Sequence, residues 1–413
     1  MENKYFSVKE SLYDITNKYE EAIDMLVSVG FDNMKDESQR NTIGKSITLE
    51  MALKMKKVNV ETFEKQLIDI IEENKEHFNE LLEEKNEKKD ANVKITGVLP
   101  CPVRVPLMES LKEWLDENEK DLDMKVDYEL KAASVGVDWI KDSLEKSNDA
   151  NVLSDIFISA GFDLFFDKDL IGKYKEENVF EDITGFENYN SDFENEYINL
   201  KDPDNQYSMI GVVPAVFLIN TDELDGRKMP TSWEELLTDE YENKVSLPIG
   251  DFDLFNAILL NVYKKYGEDG IKRLGKSLLS SMHPSEMVKS HIKDIQKPIV
   301  TIMPYFFTKM TKRGGPMEAV WPKDGAILSP IFMLSKKEKS EKLKPIVDFF
   351  ASKNVGEILS HNGKFPSVNP NVDNMISSED KYMWLGWDYL KGNDIGNLIK
   401  KCEKIFNDSI GGM

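Results

Sequence analysis

Residues 209–220, MIGVVPAVFLIN, make an apolar run long enough for one extended strand, and the chain on either side decides what that strand joins. Upstream, strand and helix patterns alternate. VKITGVL (93–99), KVDYEL (125–130) and SDIFISAG (154–161) read as strands, the last entering a turn. Between them lie two helices, VDWIKDSLEKS (137–147) and MESLKEWLDENEK (108–120), the second with Leu111, Trp114 and Leu115 on one face. Downstream the alternation resumes, with TSWEELLTDE (231–240) as helix, KVSLPIG (244–250) as strand and DLFNAILLNVYKKYG (253–267) as helix. KPIVTIMPYFF (297–307), the hydrophobic strand AILSPIFML (326–334) and helices around 338–360 and 379–407 complete the run. Short strand–helix–strand links predict right-handed crossovers and a mostly parallel sheet. Two α/β units joined by long strands predict two lobes with a cleft between them. No repeat at a fixed short period is present.

The first 71 residues have a different pattern. In YEEAIDMLVSVGF, Ala22, Met25, Leu26 and Val29 follow helical spacing and Gly30 suits the residue just past a helix end. Ser46 and Thr48 are two candidate N-caps for a second helix, and VNVETFEKQLIDII supplies a third. Residues 72–92, EENKEHFNELLEEKNEKKDAN, are almost wholly charged or polar and predict a solvated helix running into a linker. The expected organisation is a small helical domain over 1–71, the charged segment over 72–92 and a bilobal domain over 93–413. Lobe one takes about 93–209 plus a later return segment, and lobe two about 210–325.

The formal net charge of −22 on 413 residues argues against nucleic acid and against docking on an anionic membrane, both of which need concentrated basic surface. Two cysteines, Cys101 and Cys402, are too few for a disulfide framework or a thiolate zinc site. No apolar run reaches the length of a membrane span. MENKYFSVKESLYDITNKYEEA lacks the basic start, apolar core and cleavage site of an export signal, so a cytoplasmic location is expected.

Ligands of open α/β sheets gather beyond the carboxyl ends of the strands, where LPCPVRVP and SAGFD stand. The three prolines of GVLPCPVRVP (97–106) predict a rigid turn holding Cys101 and Arg104 at the mouth of a strand.

Several stretches, in their order along 93–413, resemble the type 2 periplasmic solute-binding proteins, in particular the branch that takes iron(III) and similar small solutes. They are ITGVLPCPVRVPLMESL, LSDIFISAGFDLFFDKDLI, VVPAVFLINTDEL, PTSWEELLTDEYENKVSLP and WPKDGAILSPIFML. The resemblance implies an α/β fold of two lobes, hinged by crossing strands and closing on a ligand. Iron-binding relatives commonly present adjacent tyrosines near TIMPYFFTKM, whereas here Tyr305 is followed by Phe306, so a tyrosine-pair iron site is not expected. The first 70 residues resemble a small helical domain of unknown function attached to hybrid-cluster and other redox proteins. The cysteine pair common in that family is missing from GFDNMKDESQR, which favours protein contacts over dithiol chemistry.

Six residues are candidates for the ligand site. Cys101 lies where helix-start amides hold an anion, and its thiolate suits a soft metal; the other reading is a buried thiol packed as a small hydrophobe. Arg104 suits a carboxylate, phosphonate or sulfonate, or else supports its loop. Ser159 and Gly161 belong to a small-residue turn that permits close approach of a ligand. Asp251, with Phe252 and Asp253, precedes a helix; an N-cap is the default and the resemblance places it at the cleft. Tyr305 suits stacking or hydrogen bonding, or packs in the core. His283 and His291, near Met282 and Met287, lack a tight metal-binding spacing, and His361 reads as loop structure. No nucleophile elbow, Walker loop, HExxH or dinucleotide fingerprint occurs.

The expectation is therefore a solute-binding protein, not an enzyme, capturing a small polar or anionic ligand, with no cofactor and no resident metal. Its expected partners are that ligand and an ABC permease, or another protein met through the helical domain. Two other readings stay open: a soft-metal or organometal carrier using Cys101, and an enzyme on the same scaffold with Cys101 as nucleophile.

Overall fold

In the computed structural model the described residues are 5–19, 22–23, 26, 31, 34, 39–56, 60, 63–64, 67–68, 71 and 91–410, the last range without 119, 134–135, 250–251, 282–296 and 312–313. The chain divides into two compact units, Met1–Glu87 and Lys88–Met413. In the first, α1 (Leu12–Lys18) starts at Ser11, whose hydroxyl accepts from the Asp14 N–H. Helix α2 (Leu49–Met55) starts at Thr48, which accepts from Met51 N–H, so Thr48 rather than Ser46 is the cap used. Leu12, Ile15, Leu49, Leu53, Phe63 and Leu67 share one core. The charged segment expected over 72–92 lies almost wholly outside the described residues.

The second unit opens with β1 (Val93–Leu99), followed at once by α3 (Cys101–Asn118). The proline-rich stretch is thus a helix start and not the expected turn. The Pro100 carbonyl accepts from the Val103 and Arg104 amides, and Pro102 falls in the first turn, where a missing N–H leaves no bond unmade. Only Pro106 lies inside the helix. Val103, Leu107, Leu111 and Leu115, spaced four apart, bury one face of α3 against the sheet.

Next come β2 (Val126–Ala132), α4 (Asp138–Lys146), β3 (Ile156–Ala160), α5 (Phe162–Phe166) and α6 (Gly172–Glu176). The crossing strand β4 (Ser208–Asn220) then enters lobe two, which holds α7 (Trp233–Leu236), β5 (Val245–Leu247), α8 (Phe252–Ser277, broken at Gly267), β6 (Leu278–Ser281), β7 (Val300–Pro304) and β8 (Met317–Val320). Strand β9 (Ala326–Ser335) returns to α9 (Ser340–Phe350) and α10 (Lys353–Glu357) of lobe one. Strand β10 (Tyr382–Met383), α11 (Trp387–Gly392) and α12 (Ile395–Ser409) close the chain. In α12 the buried Ile395, Ile399, Cys402 and Phe406 form one stripe, and Phe406 meets Phe255 of α8 edge-on at 5.1 Å.

The strand order is β2-β1-β3-β9-β4-β7-β5-β6, with β10 beside β9 and β8 beside β4. Residues 208–215 of β4 pair with β9, and residues 215–219 pair with β7. At about 3.3 Å per residue β4 spans about 40 Å, enough to serve both lobes. The sheet is parallel at its flanks, as expected, and β10 runs parallel to β9, but β9 is antiparallel to β3 and β4, and β4 is antiparallel to β7 and β8. Strands β4 and β9 carry the chain out and back, so they must run in opposite directions. This is the two-lobed architecture with crossing strands. No helix among the described residues is long and apolar enough to cross a membrane.

Candidate functional site

Two places bring residues of both lobes together. The first is the end of β3. Gly161 caps α5 with φ 119°, a conformation costly for residues with a side chain. Behind it Asp163 pairs with Lys141 at 2.6 Å, while Asp163 Oδ1 is buried with no hydrogen-bond partner among the described residues. Burial works against the Lys141 ammonium, but Asp163, Asp138 and Asp253 outweigh it and raise its pKa. Glu403 of α12 is pushed up by burial and by Asp163. The space at Gly161 is filled by protein side chains, with Asp253 of lobe two against it.

The second place lies where β7 ends. Residues Tyr305–Met310 form a 3-10 turn of lobe two that leans on lobe one. Phe306 stacks on Phe365 at 6.1 Å and 11°, which seats this turn. Lys309 Nζ donates to the carbonyls of His361 and Asn362 at 2.8 and 2.9 Å, at the end of the π-helical turn Ile358–Asn362. Those are unsatisfied helix-end carbonyls, which favour a cation. Just beyond, Lys364 has φ 49° and sends Nζ to Thr308 Oγ1 at 3.2 Å and over the Tyr305 ring at 4.1 Å from its centroid. A Cβ on Gly363 would meet Val103 Cγ1 at 2.3 Å, so the first turns of α3 abut this loop. Tyr305 is half-buried and stands edge-on to Trp321, which is edge-on in turn to Tyr382.

The electrostatics are uneven. Among the described residues neither Lys309 nor Lys364 has a carboxylate partner, in a chain with 75 acidic and 53 basic side chains. Burial lowers both ammonium pKa values, and at Lys364 the charge of Lys309 adds to it. The Tyr305 hydroxyl is raised by burial and by Asp380. Chemically this is a half-buried aromatic face beside two cations, and it suits an anion.

The sequence candidates are distributed as follows. Tyr305 stands in this cluster. Cys101 opens α3, next to the turn that touches Gly363, and its side chain lies outside the described residues. Arg104 donates from Nε to the Leu130 carbonyl at the end of β2, at 2.7 Å. Ser159 is not in a turn: it is buried within β3 opposite Phe332, its hydroxyl on the Ala160 carbonyl. Gly161 belongs to the first place, beside Asp253. Asp251, His283, His291, Met282 and Met287 lie outside the described residues. His361 Nε2 meets the Asp373 carbonyl at 2.8 Å, as loop structure. Lys309, Lys364, Trp321 and Tyr382 were missed, because nothing in their spacing marks them. Among the described residues no three His, Cys, Asp or Glu side chains converge as a metal site.

Comparison with known proteins places these features in a wider set. Residues 151–393 match the family model for bacterial extracellular solute-binding proteins, and residues 7–63 match a domain of unknown function, DUF1858. No curated protein matches the chain. Among solved structures, the ferric binding protein from Campylobacter jejuni is 16% identical, with TM-score 0.55, covering 78% of this chain and 99% of its own. A Trichodesmium protein solved with iron and citrate ligands is 12% identical, with TM-score 0.55, covering 77% and 99%. An ABC transporter structure from Clostridium perfringens is 16% identical, with TM-score 0.53, covering 78% and 100%. At such identities the likeness is one of fold.

Proposed function

The chain belongs to the bacterial extracellular solute-binding proteins, and on that footing we propose that it captures a small anionic solute on Lys309, Lys364 and Tyr305. The observation that carries this reading is the pair of lysines that, among the described residues, have no carboxylate partner where the lobes meet. An anion between them offsets their mutual repulsion, and it does so only while the lobes are together, which gives the closed form its differential affinity. The strands β4 and β9 are the hinge of that motion.

Of the related proteins, one is a ferric binding protein and another was solved with iron and citrate bound. Iron held by paired phenols is not proposed for this chain: the residue after Tyr305 is Phe306, and its ring is stacked on Phe365. The solute is proposed as an acid, taken without turnover and passed to an ABC permease; host fractionation tests this, because a chain found in the cytosol would act instead as a sensor or carrier.

Native mass spectrometry of the chain purified from its host tests the reading directly. A retained mass that is lost on Lys364→Met and Lys309→Met supports it. The same mass retained by both variants removes the lysine pair from the site.

A further inference from the structure

Resting on the anion reading, we propose that the solute is a zwitterion of the amino-acid type. Its acid end lies on Lys309 and Lys364, and its ammonium end lies along Trp321 and Tyr382, facing Asp380 and Asp192.

Three rings from three segments build the wall between these ends. Tyr305 follows β7, Trp321 precedes β9, and Tyr382 lies in β10. Trp321 stands 5.2 Å from Tyr305 and 5.4 Å from Tyr382, nearly perpendicular to both. Its own N–H is held by the Lys381 carbonyl at 2.6 Å, which fixes the indole. The wall already accepts an ammonium, since Lys364 lies over the Tyr305 face at 4.1 Å.

Opposite charges stand at the two ends, and among the described residues neither set has an oppositely charged partner. Asp192 accepts from Asn374 Nδ2 at 2.9 Å and has no cationic partner among the described residues. No lysine or arginine pairs with Asp380 there either. Burial is the first cause that pushes both carboxyls upward, and Asp192 and Asp380 both act on the Tyr382 hydroxyl. That hydroxyl oxygen is buried and has no hydrogen-bond partner among the described residues. A buried hydroxyl without a partner marks a missing donor or acceptor. An ammonium N–H donated to Tyr382 Oη, beside two carboxylates, satisfies the oxygen and both charges at once. A simple anion satisfies only the lysine end.

Calorimetry on the full-length chain decides between them. The probes are ω-amino acids from glycine to 6-aminohexanoate, each set against the carboxylic acid and the primary amine of equal length. The expected result is one length at which the amino acid binds about ten-fold or more tighter than its acid. Asp380→Asn then brings the amino acid down to the level of the acid, and Asp380→Glu restores the difference in a variant of unchanged melting temperature. Acids that bind as tightly as amino acids at every length, and are still weakened by Lys364→Met, overturn the zwitterion and leave the anion reading standing. Amines that bind as tightly as amino acids, with Lys364→Met silent, bring down both. Failure of every probe to bind overturns the zwitterion as well.

Discussion

Gly161 of lobe one and Asp253 of lobe two approach so closely that a Cβ built on Gly161 would stand 2.5 Å from Asp253 Oδ1. The atoms met are side-chain ends, and Asp163 Oδ1 at 3.3 Å from the same point limits how far the Asp253 carboxylate can turn aside. Gly161→Ala meets both this clash and a φ of 119°, so a loss of about 1–3 kcal/mol is expected. Asp253→Ala in the same chain relieves the clash but not the backbone strain, and recovers only part of the loss. Urea denaturation of the two single variants and the double variant measures the coupling. Additive losses would mean that the two lobes do not meet here in solution.

Cys402 sits in the buried stripe of α12, and burial pushes its thiol up to about 12. The thiolate is the reactive form, so at pH 8 the native chain is expected to leave Cys402 unalkylated by iodoacetamide. Peptide mapping of native and urea-unfolded protein compares the two directly. Cys402→Ser buries a hydroxyl in an apolar stripe and is expected to cost about 1–3 kcal/mol. Rapid labelling of Cys402 in the native state counts against the packing of α12 on α8.

Much of this fold could be read from residue order, because buried strands and amphipathic helices impose their periods on the chain. MIGVVPAVFLIN and AILSPIFML are apolar on both faces, since β4 and β9 are covered on both sides, and that made them visible. The start of α3 was misread because proline density ordinarily breaks helices, while Pro102 occupies a turn whose N–H groups have no partners anyway. Ser159 was misread for a related reason: small residues suggest turns, yet here one fills a strand opposite Phe332. The lysine pair was out of reach. Lys309 and Lys364 come from different lobes, in a chain with 53 basic side chains, and contacts formed only in the fold bring them together: Phe306 on Phe365, Lys309 on the His361 and Asn362 carbonyls, and Lys364 on Thr308.

Glu235 closes a reciprocal cap at the start of α7. Ser232 Oγ accepts from the Glu235 N–H at 3.1 Å, and Glu235 Oε2 accepts from the Thr231 N–H at 2.7 Å. The Thr231 amide first, then Lys228 and the Thr231 hydroxyl, hold this carboxyl down at about 2. A depressed carboxyl stabilises the fold fully above its ordinary value of about 4.3 and loses that contribution as pH falls toward 2. Glu235→Gln should therefore cost about 1 kcal/mol or less at pH 7, since the side chain is 38% exposed and solvent screens it. The difference from the parent should shrink between pH 4 and pH 3 in urea titrations. A gap that widens on acidification would assign the stabilisation to another group.

The lysine pair makes the sharpest demand, because its charge state governs binding. Lys364 is lowered by burial and by Lys309, and Lys309 by burial, so both lose their protons below the ordinary lysine range. An anion prefers the protonated pair, and binding therefore takes up protons and weakens as pH rises. The Tyr305 hydroxyl, raised by burial and Asp380, stays neutral over the same interval and does not mask the effect. Affinity for an anionic probe is expected to be flat near pH 6–7 and to fall before pH 10, measured by calorimetry in buffers of differing ionisation heat. Lys364→Met should cost about 1.5–3 kcal/mol at neutral pH and flatten the profile, since one titrating cation remains. Lys364→Arg keeps its charge at all these values, so it should retain affinity at high pH where the parent loses it. Affinity that holds level to pH 10 in the parent chain would show that the anion is held by other groups.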